Sequence, residues 1–388
     1  MAEWIGIERR ARRCYGFDEI ALVPGIITYS PTEVDTSCEI AGIKLRVPII
    51  ASAMDGVVDV NFAIAMGKLG GLAVLNLDGV QTRYENPDEI LAQLTSADDA
   101  KAGTLVQKLY KVPIKEKLVA KRVAQIKKGK VPVVVSTIPQ HAERFGPIAK
   151  EAGADIFVVQ STVTTARHVA KSYKPVDFKS FIKRLKLPVI IGNCVTYEQA
   201  VELMETGPAA LLVGVGPGAA CTTRGVLGVG VPQATTTVDC AAARDFWHKK
   251  TGRYVPIITD GGMRTGGDIC KCFACGADAI MVGSVFAKSK EAPGRGYHWG
   301  MAYPHSSLPR GTRLHVGTTG SLNELLFGPA TIDDGSQNLV GAIATCMGTV
   351  GARTLKEFQM TEVIIAPSIQ TEGKLLQQVQ RVGMSRKG

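Results

Sequence analysis

The stretch VGVGPGAACTTRGVLGVG, residues 213–230, sets one cysteine among glycines, with two threonines and an arginine directly behind it. A structural thiol needs no such loop, but a reacting one gains from it. The thiolate is the nucleophile, and an unperturbed thiol with a pKa of about 8.5 is only a few per cent ionised at neutral pH. Glycine-rich turns let backbone N–H groups converge on an anion without interference from Cβ. Gly214, Gly216 and Gly218 therefore permit a tight loop with Cys221 at its tip and the Thr223 hydroxyl two residues on. The alternative is a small buried thiol beside a flexible loop. Cys14, Cys38, Cys194, Cys240 and Cys346 read as packing residues.

Two other stretches could hold an anion. TDGG (259–262) and VGS (282–284) each close an apolar run, where glycine amides and a helix start can cradle phosphate. Asp260 would repel phosphate and suits a ribose diol better. A nucleotide monophosphate would then place its phosphate near Gly261, Gly262, Gly283 and Ser284, its sugar at Asp260 and its base towards Cys221. These glycines do not follow G-x-G-x-x-G after a first strand, which excludes a Rossmann reading. Cys270, Cys272 and Cys275, in CKCFAC, could supply three zinc ligands. On a helix, however, positions 270 and 272 lie about 200° apart, and no fourth ligand is evident, so helix packing is the expectation.

The elements that must position these residues are legible as short apolar runs: PIIASAM (48–54), GLAVLN (71–76), VPVVVST (131–137), DIFVVQS (155–161), PVIIGN (188–193), ALLVG (210–214), VPIITD (255–260) and AIMVG (279–283). Runs apolar at every position are strands buried on both faces, hence a parallel sheet. Most are separated by helical stretches such as HAERFGPIAKEAGA and TYEQAVELMETGP. Eight strands alternating with helices predict an α/β fold, a (β/α)8 TIM barrel, with a doubly wound sheet as the rival. In a barrel, chemistry sits on the loops after strands, where SAMD, QST, GN, the Cys221 loop, TDGG and VGS all fall. Two intervals exceed a bare helix: about 55 residues between strands two and three, and residues 290–338, rich in Gly, Pro, Ser and Thr, which read as a catalytic flap. Residues 339–358 return to helical spacing, and the last 20 or so read as a frayed tail. The expectation is a single catalytic domain spanning 1–388.

Composition narrows the class. The chain has 388 residues, 45% of them hydrophobic, and a net charge of +10, with nine cysteines at irregular spacing. No secretory core or membrane-length apolar run is present, so a soluble cytoplasmic protein is expected, with no membrane partner. Residues 101–130 carry ten Lys/Arg against the single acid Glu116, with apolar spacing at Leu105, Leu109, Val119 and Val123. This reads as a solvated helix face or a surface that draws anions. Zinc-finger, RNP and helix-turn-helix signatures are missing, so no nucleic-acid partner is expected.

GVGPGAACTTRGVLGVGVPQ is similar to the active-site loop of the IMP dehydrogenase and GMP reductase family. SAMDGV at residue 52, GNCVT (192–196), TDGGMRTGGDI and IMVGS match that family in the same order, over roughly residues 15–358. The resemblance implies a Cys221 nucleophile acting on purine C2. It places Ser52, Met54, Asp260, Gly262, Gly283 and Ser284 around the nucleotide, with Gly320 from the flap. It sets Gln160, Ser161, Thr162, Asn193, Gly214 and Gly216 against a nicotinamide cofactor, and in dehydrogenases a potassium ion at Gly216, Gly218 and Cys221. It also implies a homotetramer or octamer.

Both activities of that family pass through a covalent purine–cysteine adduct. A dehydrogenase then hydrolyses the adduct, using an Arg–Tyr pair in the flap. Here Arg-Tyr occurs only at 83–84 and 253–254, and the flap has Arg310 and Arg313 without an adjacent tyrosine. A reductase needs a proton donor for departing ammonia, in the family the loop threonine with a flap carboxylate. Those map to Thr223 and Asp334, with Asp333 its rival. The interval after strand two is too short for the CBS pair that dehydrogenases usually carry. The resemblance therefore implies a GMP reductase that uses NADPH to convert GMP to IMP and ammonia. IMP dehydrogenase, or a silent purine-nucleotide-binding regulator, is the alternative. Three positions depart from the family pattern: Ala219 for a phosphate-binding serine, Gln160 for a ribose-binding aspartate, and Thr318-Thr319-Gly320 for the flap's glycine–methionine contact.

Overall fold

The computed structural model describes residues 2–300, 312–367 and 373–383. Eight parallel strands close a barrel: β1 (Ile49–Ala51), β2 (Leu72–Asn76), β3 (Val134–Thr137), β4 (Ile156–Gln160), β5 (Val189–Cys194), β6 (Ala210–Val213), β7 (Ile257–Asp260) and β8 (Ala279–Val282). Each pairs with its sequence neighbours, and β8 pairs with β1. The barrel expected from the apolar runs is therefore present, and every run contributes one strand. Alternation decides which side chains fill it: Val74, Val158 and Leu212 point inward with Ile50, Ile190, Ile258 and Met281. Leu75, Val159 and Val213 point outward under the helices.

The helices are α1 (Val60–Lys68), α2 (Glu116–Lys128), α3 (Pro139–Glu151), α4 (Phe178–Leu185), α5 (Tyr197–Glu205), α6 (Gln233–Thr251), α7 (Gly266–Ala274) and α8 (Leu339–Val350). Asp59, Asp177, Thr196 and Thr265 cap α1, α4, α5 and α7 by accepting backbone N–H groups. All three cysteines of CKCFAC are buried, Cys270, Cys272 and Cys275 lying on or just after α7, and burial pushes Cys275 up to about 12. They pack; among the described residues no cluster of His, Cys, Asp or Glu could hold a metal. Most lysines of 101–130 lie on two helices, Asp99–Leu109 and α2, whose apolar faces carry Leu109, Val119 and Val123 into the core. No helix among the described residues is long and apolar enough to cross a membrane.

Two features were not anticipated. Strands Cys38–Ile40 and Ile43–Leu45 form a hairpin whose Ile40 and Leu45 plug the barrel's lower end. Its two-residue turn, Ala41-Gly42, has both φ values positive (54° and 82°), the primed geometry that matches strand twist. The interval after β2 holds helices Pro87–Ser96 and Asp99–Leu109 in addition to α2, the extra helices its length allowed, and what the sequence did not show is that these carry the flap. Flap strands Tyr297–Trp299 and Arg313–His315 pair antiparallel. Trp299 packs among Val80, Leu91, Leu94 and Val106. The buried Arg313 guanidinium donates to the carbonyls of Leu94 and, at 2.8 Å, Ala97 and to Asp99. The flap's base is thus docked on the inserted helices, and Arg313 is an anchor there; Arg310 lies outside the described residues.

Candidate active site

The strand ends open into a cavity of about 1030 Å³, at the upper end of what a single small ligand occupies. Ser52 and Met54 line it from β1, Gln160, Ser161 and Thr162 from β4, Asn193 from β5, and Gly214, Gly216, Gly218 and Cys221 from β6. Asp260, Gly261 and Gly262 enter from β7, Gly283 and Ser284 from β8, and Asp334 from the flap's C-terminal side. Asp333 is not among the lining residues, which favours Asp334 between the two. Gly320 is also absent from the lining: it is buried, bridges to Ser289 and lies beside Glu324. Thr223 lies one layer behind the surface, 1% exposed, and reaches the cavity through Cys221.

Packing and backbone both demand glycine at 214 and 216 in the Cys221 loop. Gly214 and Gly216 have φ of 138° and 82°. A Cβ on Gly214 would fall 2.6 Å from the Asp260 carbonyl oxygen, and one on Gly216 2.5 Å from Arg224 Cγ. The Cys221 amide donates to the Gly218 carbonyl at 3.0 Å, closing the turn. The Cys221 thiol lies 3.2 Å from Thr223 Oγ1, to which it donates. Arg224 folds back along Gly216 and Gly230 and donates to the Val231 carbonyl at 2.6 Å, so it braces the loop from within. The Gly218 carbonyl thus accepts from the Cys221 amide, and the Arg224 side chain lies along Gly216. A cation has no part in the chemistry proposed below.

Opposite this loop, a bulge at the end of β5 sets Asn193. The register slips between Gly192 and Cys194, and a Cβ on Gly192 would fall 2.4 Å from Leu212 Cβ. Asn193 Nδ2 donates to the Gly214 carbonyl and to Asp260 Oδ2, each at 2.9 Å. One side chain thereby ties β5, β6 and β7 together and aims the Asp260 carboxylate. Burial pushes Asp260 up to about 6, against the lowering effect of hydrogen bonds from Asn193 and Ser52. Above pH 6 its carboxylate is therefore less stable in the folded chain than in the unfolded one, where Asp titrates near 3.9. Asp260→Asn is expected to raise the melting temperature of the free protein at pH 8 by a few degrees. The gain should shrink as pH falls through 6 and be nearly gone by pH 4. The same variant should bind a purine nucleotide at least about tenfold more weakly. Calorimetry across pH with nucleotide titration checks both effects, and a lower melting temperature at pH 8 would contradict the assignment.

Several lining groups escaped the sequence reading. Ser136 Oγ is one of them, buried and without a hydrogen-bond partner among the described residues, as is Oε1 of the already expected Gln160, and both belong to the β3–β4 side of the cavity. Orphaned polar atoms there fit a polar second ligand, such as the amide and ribose of a dinucleotide. His141, on α3, is held by Asp78, which also accepts from Thr137 Oγ1 at 2.8 Å and from the Ile138 amide at 2.9 Å. Arg264 and Lys288 line the cavity near Gly262 and Ser284; Arg264 is already paired with Asp18 and Asp268, so it is Lys288 that gives that end positive charge suited to phosphate. TDGGMR and GSVFAK carried this signal, basic residues two and four positions after the marked glycine or serine. Neither Arg-Tyr pair reaches the cavity. Arg83 donates to the Asp78 carbonyl and Tyr84 to that of Leu109. Arg253 donates to the Pro208 carbonyl, and Tyr254 to Asp278 at 2.6 Å.

Residues 14–306 match the family model described as IMP dehydrogenase / GMP reductase domain. The chain belongs to the IMP dehydrogenase/GMP reductase family. It is 39% identical over 364 residues to an uncharacterized oxidoreductase of Mycolicibacterium smegmatis, with 92% of this chain and 97% of the relative covered. Inosine-5'-monophosphate dehydrogenase of Methanocaldococcus jannaschii is 28% identical over 488 aligned positions, covering 93% of this chain and 95% of the relative. Among solved structures, an IMP dehydrogenase/GMP reductase-like protein of Corynebacterium glutamicum superposes with a TM-score of 0.89 at 36% identity, covering 94% and 97% of the two chains. Membership makes the chain an oxidoreductase of a family that acts on purine nucleotide monophosphates. It also gives the Cys221 loop and the β7–β8 glycines a common purpose.

Proposed function

We propose that this family member is a GMP reductase, converting GMP to IMP and ammonia with NADPH. The observation that carries the reading is the Cys221 thiol against the buried Thr223 hydroxyl, with Asp334 lining the same cavity, while both Arg-Tyr pairs are committed elsewhere. The orphaned Ser136 and Gln160 atoms, on the side of the cavity away from Cys221, suit the cofactor.

Cys221 Sγ, as thiolate, forms a bond to purine C2. Thr223 Oγ1, fixed by burial behind the sulfur, takes and passes on the thiol proton. The C2–N bond breaks as the leaving amine receives a proton through Thr223 and Asp334 and departs as ammonia. A reduced nicotinamide, when bound, supplies the hydride that replaces sulfur at C2. Cys221 leaves as thiolate and is reset. Met54, Asp260 and the glycines of β7 and β8 hold the nucleotide throughout, and Asn193 keeps Asp260 aimed. Gln160, Ser161 and Thr162 would orient the cofactor.

A homotetramer or octamer is part of the proposal, supported by exposed Val226, Leu227 and Val229 beyond the site loop and Val238 and Phe246 on α6. Nine free cysteines suit a reducing, cytoplasmic compartment. Purified protein given GMP and NADPH should oxidise the cofactor and release one ammonia per turnover. XMP from IMP and NAD, with no reaction in the other direction, would make the protein a dehydrogenase. Purine binding without turnover in either direction would leave a nucleotide-binding regulator.

A further inference from the structure

His298 is 1% exposed, it lines the cavity, and both its ring nitrogens lack a hydrogen-bond partner among the described residues. A buried imidazole with neither nitrogen satisfied is costly, and such groups in folded chains call for a ligand or another partner. Its place in the fold says which ligand. His298 sits on the first flap strand, paired with Leu314, so its side chain shares a face with Val316 and Gly300, both of which also line the cavity. A Cβ on Gly56, just after the β1 loop of Ser52 and Met54, would fall 3.0 Å from His298 Cα. One on Gly300 would fall 3.0 Å from the Ala220 carbonyl oxygen, next to Cys221. The strand thus roofs the cavity between the β1 and β6 loops, the half assigned to the nucleotide, whereas Gln160, Ser161 and Thr162 lie on the β4 side.

We infer that His298 is a substrate-binding residue whose imidazole hydrogen-bonds the base of the bound purine nucleotide. This rests on the purine-nucleotide reading above, but not on the direction of the reaction. Burial lowers His298 to about 4, so the ring is neutral at pH 7 and offers one donor and one acceptor. That suits the mixed polar rim of a 6-oxopurine and suits a phosphate poorly, whereas Lys288 lines the cavity at the end assigned to the anion. The strand is held in place independently of ligand, because Trp299 Nε1, one residue on, donates to Tyr110 Oη at 2.8 Å and Tyr110 in turn donates to Asp55.

The test is equilibrium titration of GMP and of NADPH into the full-length wild type, His298→Phe and His298→Gln, with melting temperatures of the free proteins. Phenylalanine fills the ring volume without the orphaned nitrogens, so the free His298→Phe protein should melt no lower than the wild type. Its GMP affinity should fall about tenfold and its NADPH affinity should stay within about twofold. Glutamine, with one donor and one acceptor, should recover part of the loss. If the wild type binds GMP and His298→Phe binds it as tightly, or if the loss falls on NADPH, the assignment to the base is wrong. If the wild type binds neither GMP nor IMP, the purine-nucleotide reading fails and takes this inference with it.

Discussion

Cys221→Ala is expected to lower turnover by on the order of 10⁴-fold or more while leaving GMP affinity within a few-fold of wild type. The size follows from losing a nucleophile with no substitute: removing the attacking atom from a covalent mechanism forfeits nearly all of the chemical step, and binding is left behind. The structure favours a clean separation. The turn at Cys221 is closed by its backbone amide on Gly218 and braced by Arg224, and neither contact involves sulfur. Thr223 retains its place as the first residue of the helix Thr223–Leu227. Steady-state rates and nucleotide titration on the same preparation measure the two effects. Retention of more than about 1% of turnover would exclude a covalent role for this residue.

Asp334→Asn is expected to cost about 10² to 10³ in kcat, the range for losing a positioned proton donor, with little change in nucleotide affinity. One carboxylate oxygen is fixed from below, accepting from the Ser336 amide at 2.9 Å and from its hydroxyl at 2.6 Å. Asparagine can accept those bonds with its carbonyl oxygen, so the segment should hold its shape. What it then presents to the cavity is an amide that cannot relay a proton to departing ammonia. A loss confined to KM would show that Asp334 binds rather than transfers protons. A larger loss from the same change at Asp333 would move the role to the neighbouring residue.

The barrel was legible because its strands are buried on both faces. Val134, Val135 and Ser136 have no solvent side, and such runs stand out from the amphipathic helices between them. The β6 loop was legible because Cys221, Gly214 and Gly216 announce a backbone that other residues could not adopt. Contacts between segments distant in sequence were not. Arg313 looked like a flap cation in search of a tyrosine, yet its partners are Leu94, Ala97 and Asp99, more than 200 residues away. His298 carries no local signature, because its meaning comes from the Gly56 and Ala220 loops that meet around it. The Ala41-Gly42 hairpin was missed because alanine is an unusual residue for positive φ. Gly320 was assigned by analogy with a flap contact and lies beside Glu324.

In the proposed reaction Cys221 Sγ and purine C2 become bonding partners. A crystal structure of the protein with GMP measures this directly. Purine C2 is expected within about 3.5 Å of Cys221 Sγ or covalently attached to it, with ribose hydroxyls on Asp260 and phosphate at Gly262, Gly283 and Ser284. A guanine base bound in the same cavity but turned so that C2 lies well beyond contact with that sulfur would contradict the proposed reaction.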